Sequence, residues 1–340
     1  MFKSLITSLI FLSLIFFVVM KYPIKKDLFT EENRKFLTSI NKFPSEDLAN
    51  FKFEHARKNE VYDIGLFGNS HILMVKYENI KFHDKKFFNF GIAGNSFRQS
   101  VNFLNELNNI NKTPKIILIG IDHPEMGLAG EARFPFYSKF ILNRINDFKY
   151  LIFEKNYDLK ESLYFIINTF ANFEYFLKKL YSIDNFYNKL TVIFNFPQEV
   201  DPMQSYKIDG SGPQKIIKKE ELKKSFKINE AKKLNRSEKY ILLEKDLKKL
   251  SKITNSANKI IIFETLIEPE YLDIVENNLS SNALIVRQRF FENCKKYNFI
   301  CIKSKKLNHN KNVNWASIFY PPDMVIGQYL NEVLNEVTKK

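Results

Sequence analysis

Short polar sequences follow several apolar runs of this chain, and they contain the side chains best suited to chemistry. The first follows residues 61–67 and reads Gly68-Asn69-Ser70-His71. A serine hydroxyl can act as a nucleophile when a base takes its proton. Asn and Ser are also the residues that most often cap a helix, so Asn69 and Ser70 have an ordinary structural alternative.

Similar polar residues follow the other apolar runs. In an open parallel sheet, ligands bind beyond the carboxyl ends of the strands. We therefore expect the following residues near Ser70: Gly91, Gly94 and Asn95 after the second run, Asp122 and His123 after the third, Glu264 and Glu268 after the fourth, and His309 and Asp323 after the fifth.

Each candidate also has a simpler interpretation. Gly91 and Gly94 suit tight turns, Glu264 suits a helix start, and His309 suits a solvated loop. Only their joint placement at one sheet edge favours a functional site.

Apolar runs alternate with segments of helical periodicity, which is typical of a parallel sheet covered by helices on both faces. We predict a three-layer, flavodoxin-like α/β fold. The predicted strands are 61–67, 85–92, 114–121, 258–267 and 299–303, and the predicted helices begin near residues 69, 95, 237, 282 and 323.

The alternation stops for about 110 residues after the third strand, so we predict an α-helical insertion over about 124–236. Within it, residues 201–214 read as a loop and 218–236 as a solvated helix. An aromatic and aliphatic stripe at helical spacing indicates core packing by Leu163, Ile167, Phe170, Phe173, Leu177 and Leu180.

Residues 4–20 contain no charge and are flanked by lysines. Seventeen helical residues span about 25 Å, close to the ~30 Å hydrocarbon core of a bilayer. No small-residue cleavage site follows, so we expect an uncleaved transmembrane helix that contacts membrane lipid. The chain then divides into an anchor with its flank (1–26), a juxtamembrane linker (27–60) and the α/β domain (61–340).

The side of the membrane stays open between two alternatives. The lysine excess after the apolar segment favours a cytoplasmic body, whereas Lys3 and the amino terminus favour a periplasmic or extracytoplasmic one. We adopt the second as our expectation.

The net charge of +14 is spread along the chain, and no signature of a nucleic-acid-binding motif occurs, so we do not expect nucleic acid as a partner. Cys294 and Cys301 lack metal-type spacing, and we expect neither a metal nor another cofactor. We interpret them as two small buried hydrophobic residues, with a disulfide as the alternative.

Three of these sequences resemble blocks of the SGNH (GDSL-type) hydrolases. "DIGLFGNSH" looks like the first block, "FNFGIAGNS" like the Asn-x-Gly-x-x-Gly turn, and "IGID" stands where the third block would be. The resemblance implies that Ser70 is the nucleophile and that the Ser70 and Gly94 amides form an oxyanion hole. Asp122 occupies the position of an Asn that also donates there, although an ionised Asp cannot donate.

The family places Asp-x-x-His before the last helix, and here that stretch, "NWASIFYPPDMVIGQ", contains no His. His309, upstream in the same predicted loop, is the candidate base, with His71 and His123 as other candidates at strand ends. Asn69, Asn95 and Glu264 complete the set.

The sequence leaves three hypotheses. The first is a membrane-anchored esterase or O-acyltransferase that acts, through an acyl-serine intermediate, on an ester-linked acyl group of an envelope glycan. The second is a catalytically inactive binding or scaffold protein of the cell envelope. The third is an anchored protein whose basic surface docks on anionic lipid.

Overall fold

The structure is a computed structural model. It describes residues 2–21, 24–37, 43, 45–80, 84–122, 140–156, 158–160, 162–163, 181–194, 196, 206–212, 237–254, 258–266, 281–304 and 323–338.

Five parallel strands form one sheet in the order β2-β1-β3-β4-β5. Their bounds are β1 Ile64–Phe67, β2 Phe87–Asn89, β3 Ile116–Ile121, β4 Lys259–Glu264 and β5 Ile300–Ile302. The central strand β3 and its neighbour β4 are rich in isoleucine, which suits strands covered on both faces. The predicted α/β fold with a parallel sheet is therefore confirmed.

Three described helices precede β1, three lie between β3 and β4, one lies in each of the other intervals between strands, and one follows β5. They are α1 Phe2–Lys21, α2 Arg34–Leu37, α3 Ser45–Lys58, α4 Ser70–Leu73, α5 Phe97–Asn109, α6 Phe140–Lys149, α7 Ile183–Ile193, α8 Ser237–Ile253, α9 Ser281–Lys296 and α10 Asp323–Thr338. A 3-10 turn lies at Tyr77–Asn79, and α6 continues as a π-helical turn over Tyr150–Glu154.

Helices cover both faces of the sheet. Successive strand residues point to opposite faces, so neighbouring residues of one strand belong to different cores. Ile117 of β3 joins one core with Leu104 of α5 and Leu247 of α8. Its neighbour Leu118 joins the other core with Leu330 of α10.

The stretch predicted as a juxtamembrane linker, 27–60, is instead part of the folded body. Leu28 and Phe29 are completely buried, and α3 buries Phe51. The prediction was wrong because the apolar residues of this stretch are spaced irregularly between charged ones, and their burial depends on distant elements.

The predicted insertion is tied to the sheet domain by a buried ion-pair network. Arg98 at the start of α5 donates to Asp147 of α6 at 2.5 Å and to Asp246 of α8 at 2.8 Å. Leu163, predicted for the core, is 44% exposed. The other members of the predicted apolar stripe and the predicted helix 218–236 lie outside the described residues.

Two further expectations concern the anchor and the cysteines. Among the described residues, no helix combines the length and apolarity that crossing a membrane requires. Cys294 of α9 and Cys301 of β5 are joined by a disulfide, with their Cα atoms 6.2 Å apart. The interpretation as two unlinked hydrophobic residues was wrong, because α9 passes directly into β5 and the short connection brings the cysteines together.

Candidate functional site

The chain leaves β1 through a turn that only glycine fits. Gly68 has a φ of +145°, and a Cβ there would lie 2.6 Å from the Gly120 carbonyl oxygen. Asn69 follows as the cap of α4, since its Oδ1 accepts a hydrogen bond from the His71 amide at 2.9 Å. The predicted capping role of Asn69 is confirmed. Ser70, the first residue of α4, is half-buried.

The helix predicted after β1 is short because the Asn89 side chain ends it. The Asn89 amide nitrogen donates to the carbonyl oxygens of Ile72, Leu73 and Val75 at 2.9–3.1 Å. Carbonyl groups that would continue the helical ladder are thereby bound by the end of β2. A side chain from a neighbouring strand thus fixes where α4 stops.

His71 and Asp122 form the closest polar pair at this edge. Asp122 follows β3, and its Oδ1 lies 2.6 Å from Nδ1 of His71. Thr265, directly after β4, donates its hydroxyl to the same oxygen at 2.5 Å, and the Asn69 side-chain amide donates to Oδ2. Asp122 therefore connects residues that follow β1 and β4.

These contacts decide the charge of Asp122. Burial raises the pKa of its carboxyl, but the charge of His71 and the hydrogen bonds from His71, Thr265 and Asn69 outweigh burial, so the pKa is lowered below its ordinary value. An ionised carboxylate accepts hydrogen bonds and donates none. The predicted oxyanion-hole role of Asp122 therefore does not fit this arrangement, because the carboxylate is the acceptor for His71.

The turn after β2 lies against the turn after β1. The Ile92 amide and the Asn95 side chain both donate to the Gly68 carbonyl, at 3.0 and 3.2 Å. Gly94, between them, is exposed and has a φ of +70°. The structure thus brings Ser70, Gly94 and Asp122 to the same edge of the sheet, with Asn95 buried beneath.

A lysine that the sequence reasoning missed supports this turn from below. Lys52 of α3 is completely buried, and its Nζ donates to the carbonyl oxygens of Asn89, Gly91 and Gly210 at 2.6–2.7 Å. Burial lowers the pKa of Lys52 well below its ordinary value. Three acceptors match the three protons of an ammonium group, so the contacts favour the charged form. No local pattern around Lys52 distinguishes it from the exposed lysines of this chain.

Glu264 does not face this site. Its carboxylate is completely buried and accepts a bidentate hydrogen bond from Arg287 at 2.6 and 2.7 Å, and another from the Ser304 amide at 2.7 Å. The side chain that reaches Asp122 from the end of β4 is the neighbouring Thr265, which the sequence reasoning also missed. A threonine at a strand end carries no signal that marks it for this contact.

Three predicted residues, His123, Glu268 and His309, lie outside the described residues. Within the described part of the chain, no group of three His, Cys, Asp or Glu side chains is placed to hold a metal ion. Comparisons of the chain with protein-family models, with curated proteins and with solved structures find no match.

Proposed function

We propose that the chain is a membrane-anchored SGNH-like enzyme that hydrolyses or transfers an ester-linked acyl group through an acyl-serine on Ser70. The observation that carries the proposal is the 2.6 Å contact between His71 and Asp122 at the edge where Ser70 begins α4. The strand order supports the family, because flavodoxin-like sheets have the order 2-1-3-4-5 and bind ligands where β1 and β3 diverge.

His71 is the base in this proposal. An ionised Asp122 at Nδ1 favours the tautomer that carries its proton there, so Nε2 is the nitrogen that accepts a proton in this proposal. His71 takes the Ser70 proton as the oxygen bonds to the acyl carbon. It returns that proton to the departing alcohol when the ester bond breaks. Water or an acceptor hydroxyl then attacks the acyl-serine in the same way and releases Ser70.

Glycine turns supply the electrophilic part of the site. Negative charge develops on the acyl oxygen during attack, and amide donors in fixed positions stabilise it. The backbone amides of Ser70 and Gly94 take this role in the proposal. Gly94 suits it because it is exposed and lacks a side chain that would shield its amide from a substrate.

The substrate class follows from the location that we propose. The outer surface of α1 is apolar, with Ile10, Phe11 and Leu14 exposed, and we propose that α1 inserts into the membrane. The Cys294–Cys301 disulfide supports an extracytoplasmic body, because disulfides persist in oxidising compartments. Acetyl groups on an envelope glycan are the proposed substrate, by resemblance to the family and from this location.

Ser70→Ala tests the proposal. We expect the variant to keep its fold by circular dichroism, to lose hydrolysis of p-nitrophenyl acetate by at least about 10³-fold, and to lose labelling by a fluorophosphonate probe. Ser251→Ala is the matched control, because the Ser251 hydroxyl donates only to a carbonyl one helical turn away, in α8. Full activity in Ser70→Ala would refute the nucleophile assignment.

The second candidate function is a binding or scaffold protein of the envelope. It is favoured by one observation, the absence of any His from "NWASIFYPPDMVIGQ" before the last helix. Under that alternative the fluorophosphonate probe does not label the unaltered chain.

A further inference from the structure

Helix α7 has the reverse of the polarity expected for a helix in water. Its buried residues include Asn185, Asn188, Lys189 and Thr191. Its outer surface carries large apolar side chains instead, with Ile183 79% exposed. Helices on the surface of soluble proteins bury their apolar stripe and expose the polar one.

The inward polar face is fixed by specific contacts. Lys189 is buried and forms an ion pair with Asp47 of α3 at 3.4 Å, while Asn185 donates to the same carboxylate at 3.2 Å. Rotating α7 to bury its apolar stripe would leave the buried Asp47 carboxylate without these partners, which is costly. The exposed apolar surface is therefore a consequence of a defined orientation.

This surface is continuous with that of α1. The ring centroids of Phe186 in α7 and Phe16 in α1 are 5.0 Å apart. Lys189 of α7 also donates a hydrogen bond to the Met20 carbonyl oxygen of α1 at 2.9 Å. Both contacts involve the last two turns of α1, next to Lys21 and its charged flank. On the same helix, Phe17 and Val18 are exposed. The two helices thus present one apolar surface near the end of α1 that adjoins the body.

We infer that the outer face of α7, defined by Ile183, Tyr187, Ile193 and Phe194, lies in the acyl and headgroup boundary of an anionic bilayer. This inference rests on the proposed insertion of α1 into the membrane. Lipid is the occupant that fits, because the face adjoins the apolar helix at its lysine-flanked end and the chain carries a net charge of +14. Tyr187 suits this boundary, because its apolar ring can contact the acyl chains while its hydroxyl group contacts the hydrated headgroups.

The test uses the full-length chain in vesicles of phosphatidylglycerol and phosphatidylcholine. Trp315→Phe removes the single tryptophan of the chain. Two single variants are then made in that background, Phe194→Trp and Tyr187→Trp. Both positions are exposed, so each new tryptophan reports on the outer face of α7. Phe11→Trp reports on α1, and Lys248→Trp, at an exposed position of α8, is the matched control. Quenching by lipids brominated in the upper acyl chain is then measured.

We expect both α7 reporters to lose at least about half of their fluorescence, because an interfacial helix buries its apolar face about 5–10 Å into the headgroup and acyl boundary. The control, Lys248→Trp, should lose none. Quenching of Phe11→Trp without quenching of either α7 reporter overturns the inference and leaves the anchor standing. Absence of quenching at all positions overturns both, and equal quenching at every position overturns the inference because contact is then not specific to α7. Esterase activity, measured on the same samples, reports separately on Ser70.

Discussion

Asp122 receives hydrogen bonds from three side chains that reach it from the ends of two other strands. Thr265 and Asn69 hold the carboxylate in place, and His71 uses it as the partner of Nδ1. The carboxylate therefore sets both the orientation and the tautomer of the imidazole. At the residue scale, the proposed chemistry depends on this arrangement.

Asp122→Asn should lower kcat for p-nitrophenyl acetate by about 10²–10⁴-fold, the usual contribution of a positioned acid–base group. The amide keeps the volume of the side chain but can place a donor against Nδ1, which favours the wrong tautomer. Steady-state kinetics on the purified variant measure this effect. An unchanged kcat would show that His71 is not the base.

The same variant reports on pH dependence through unfolding. Because the folded state lowers the pKa of Asp122, this carboxylate stabilises the fold fully above its ordinary pKa of about 3.9. The stabilisation is lost as pH falls through the lower, folded value. The difference in unfolding free energy between the two proteins should therefore be largest near pH 7 and shrink below about pH 4.

Some of these residues could be identified from the sequence, and others could not. Gly68, Ser70 and Asp122 stand directly after apolar runs, so their common edge follows from the rule that parallel strands end together. The contact of His71 with Asp122 depends on the direction of a side chain in α4, where each residue is rotated by about 100° from the one before. Its prediction therefore requires coordinates.

At the scale of elements, α3 supports the turn after β2. Its Lys52 satisfies three buried carbonyl groups, one at the last residue of β2, one in the turn that leads to Gly94 and the third in residues 206–212. These carbonyl groups have no access to water, so the loss of the lysine would leave them buried without a donor, which costs free energy of folding. The lysine consequently joins three segments that are distant in sequence.

Lys52→Met keeps the length of the side chain but removes its donors. We expect a loss of about 1–3 kcal/mol in the free energy of unfolding, because buried acceptors are left without partners. Urea denaturation measures the loss. Lys248→Met, at an exposed position of α8, is the control and should change stability by less than about 0.5 kcal/mol. Equal effects of the two substitutions would contradict the role of Lys52.

The positions of the elements were largely predictable, but their ends were not. The runs that became β3 and β4 are apolar throughout, which marks buried parallel strands in any context. The predicted strand 85–92 shortens to Phe87–Asn89, and α4 stops at Leu73. The Asn89 side chain sets the end of α4, because it donates to carbonyl groups 14–17 residues away. Just after β2, its Oδ1 accepts a hydrogen bond from the Gly91 amide at 2.8 Å.

At the scale of the whole molecule, the disulfide closes the edge of the sheet at β5 onto α9. Replacing both Cys294 and Cys301 by Ser should destabilise the fold by about 2.4 kcal/mol, the chain-entropy value for so short a loop. Thermal unfolding of this double variant, compared with the unaltered chain with and without reductant, measures the effect. If reductant lowers the midpoint of the double variant as much as that of the unaltered chain, the effect does not come from this bond.

The packing of residues 24–58 has a practical consequence for any shortened form of this protein. A truncation that begins at β1 would discard α3, including Phe51 and the ammonium group beneath the glycine turn. The smallest fragment able to fold without α1 should therefore start before Leu28. A protease that separated the intact body from α1 would have to cut within the few residues between Lys21 and that point.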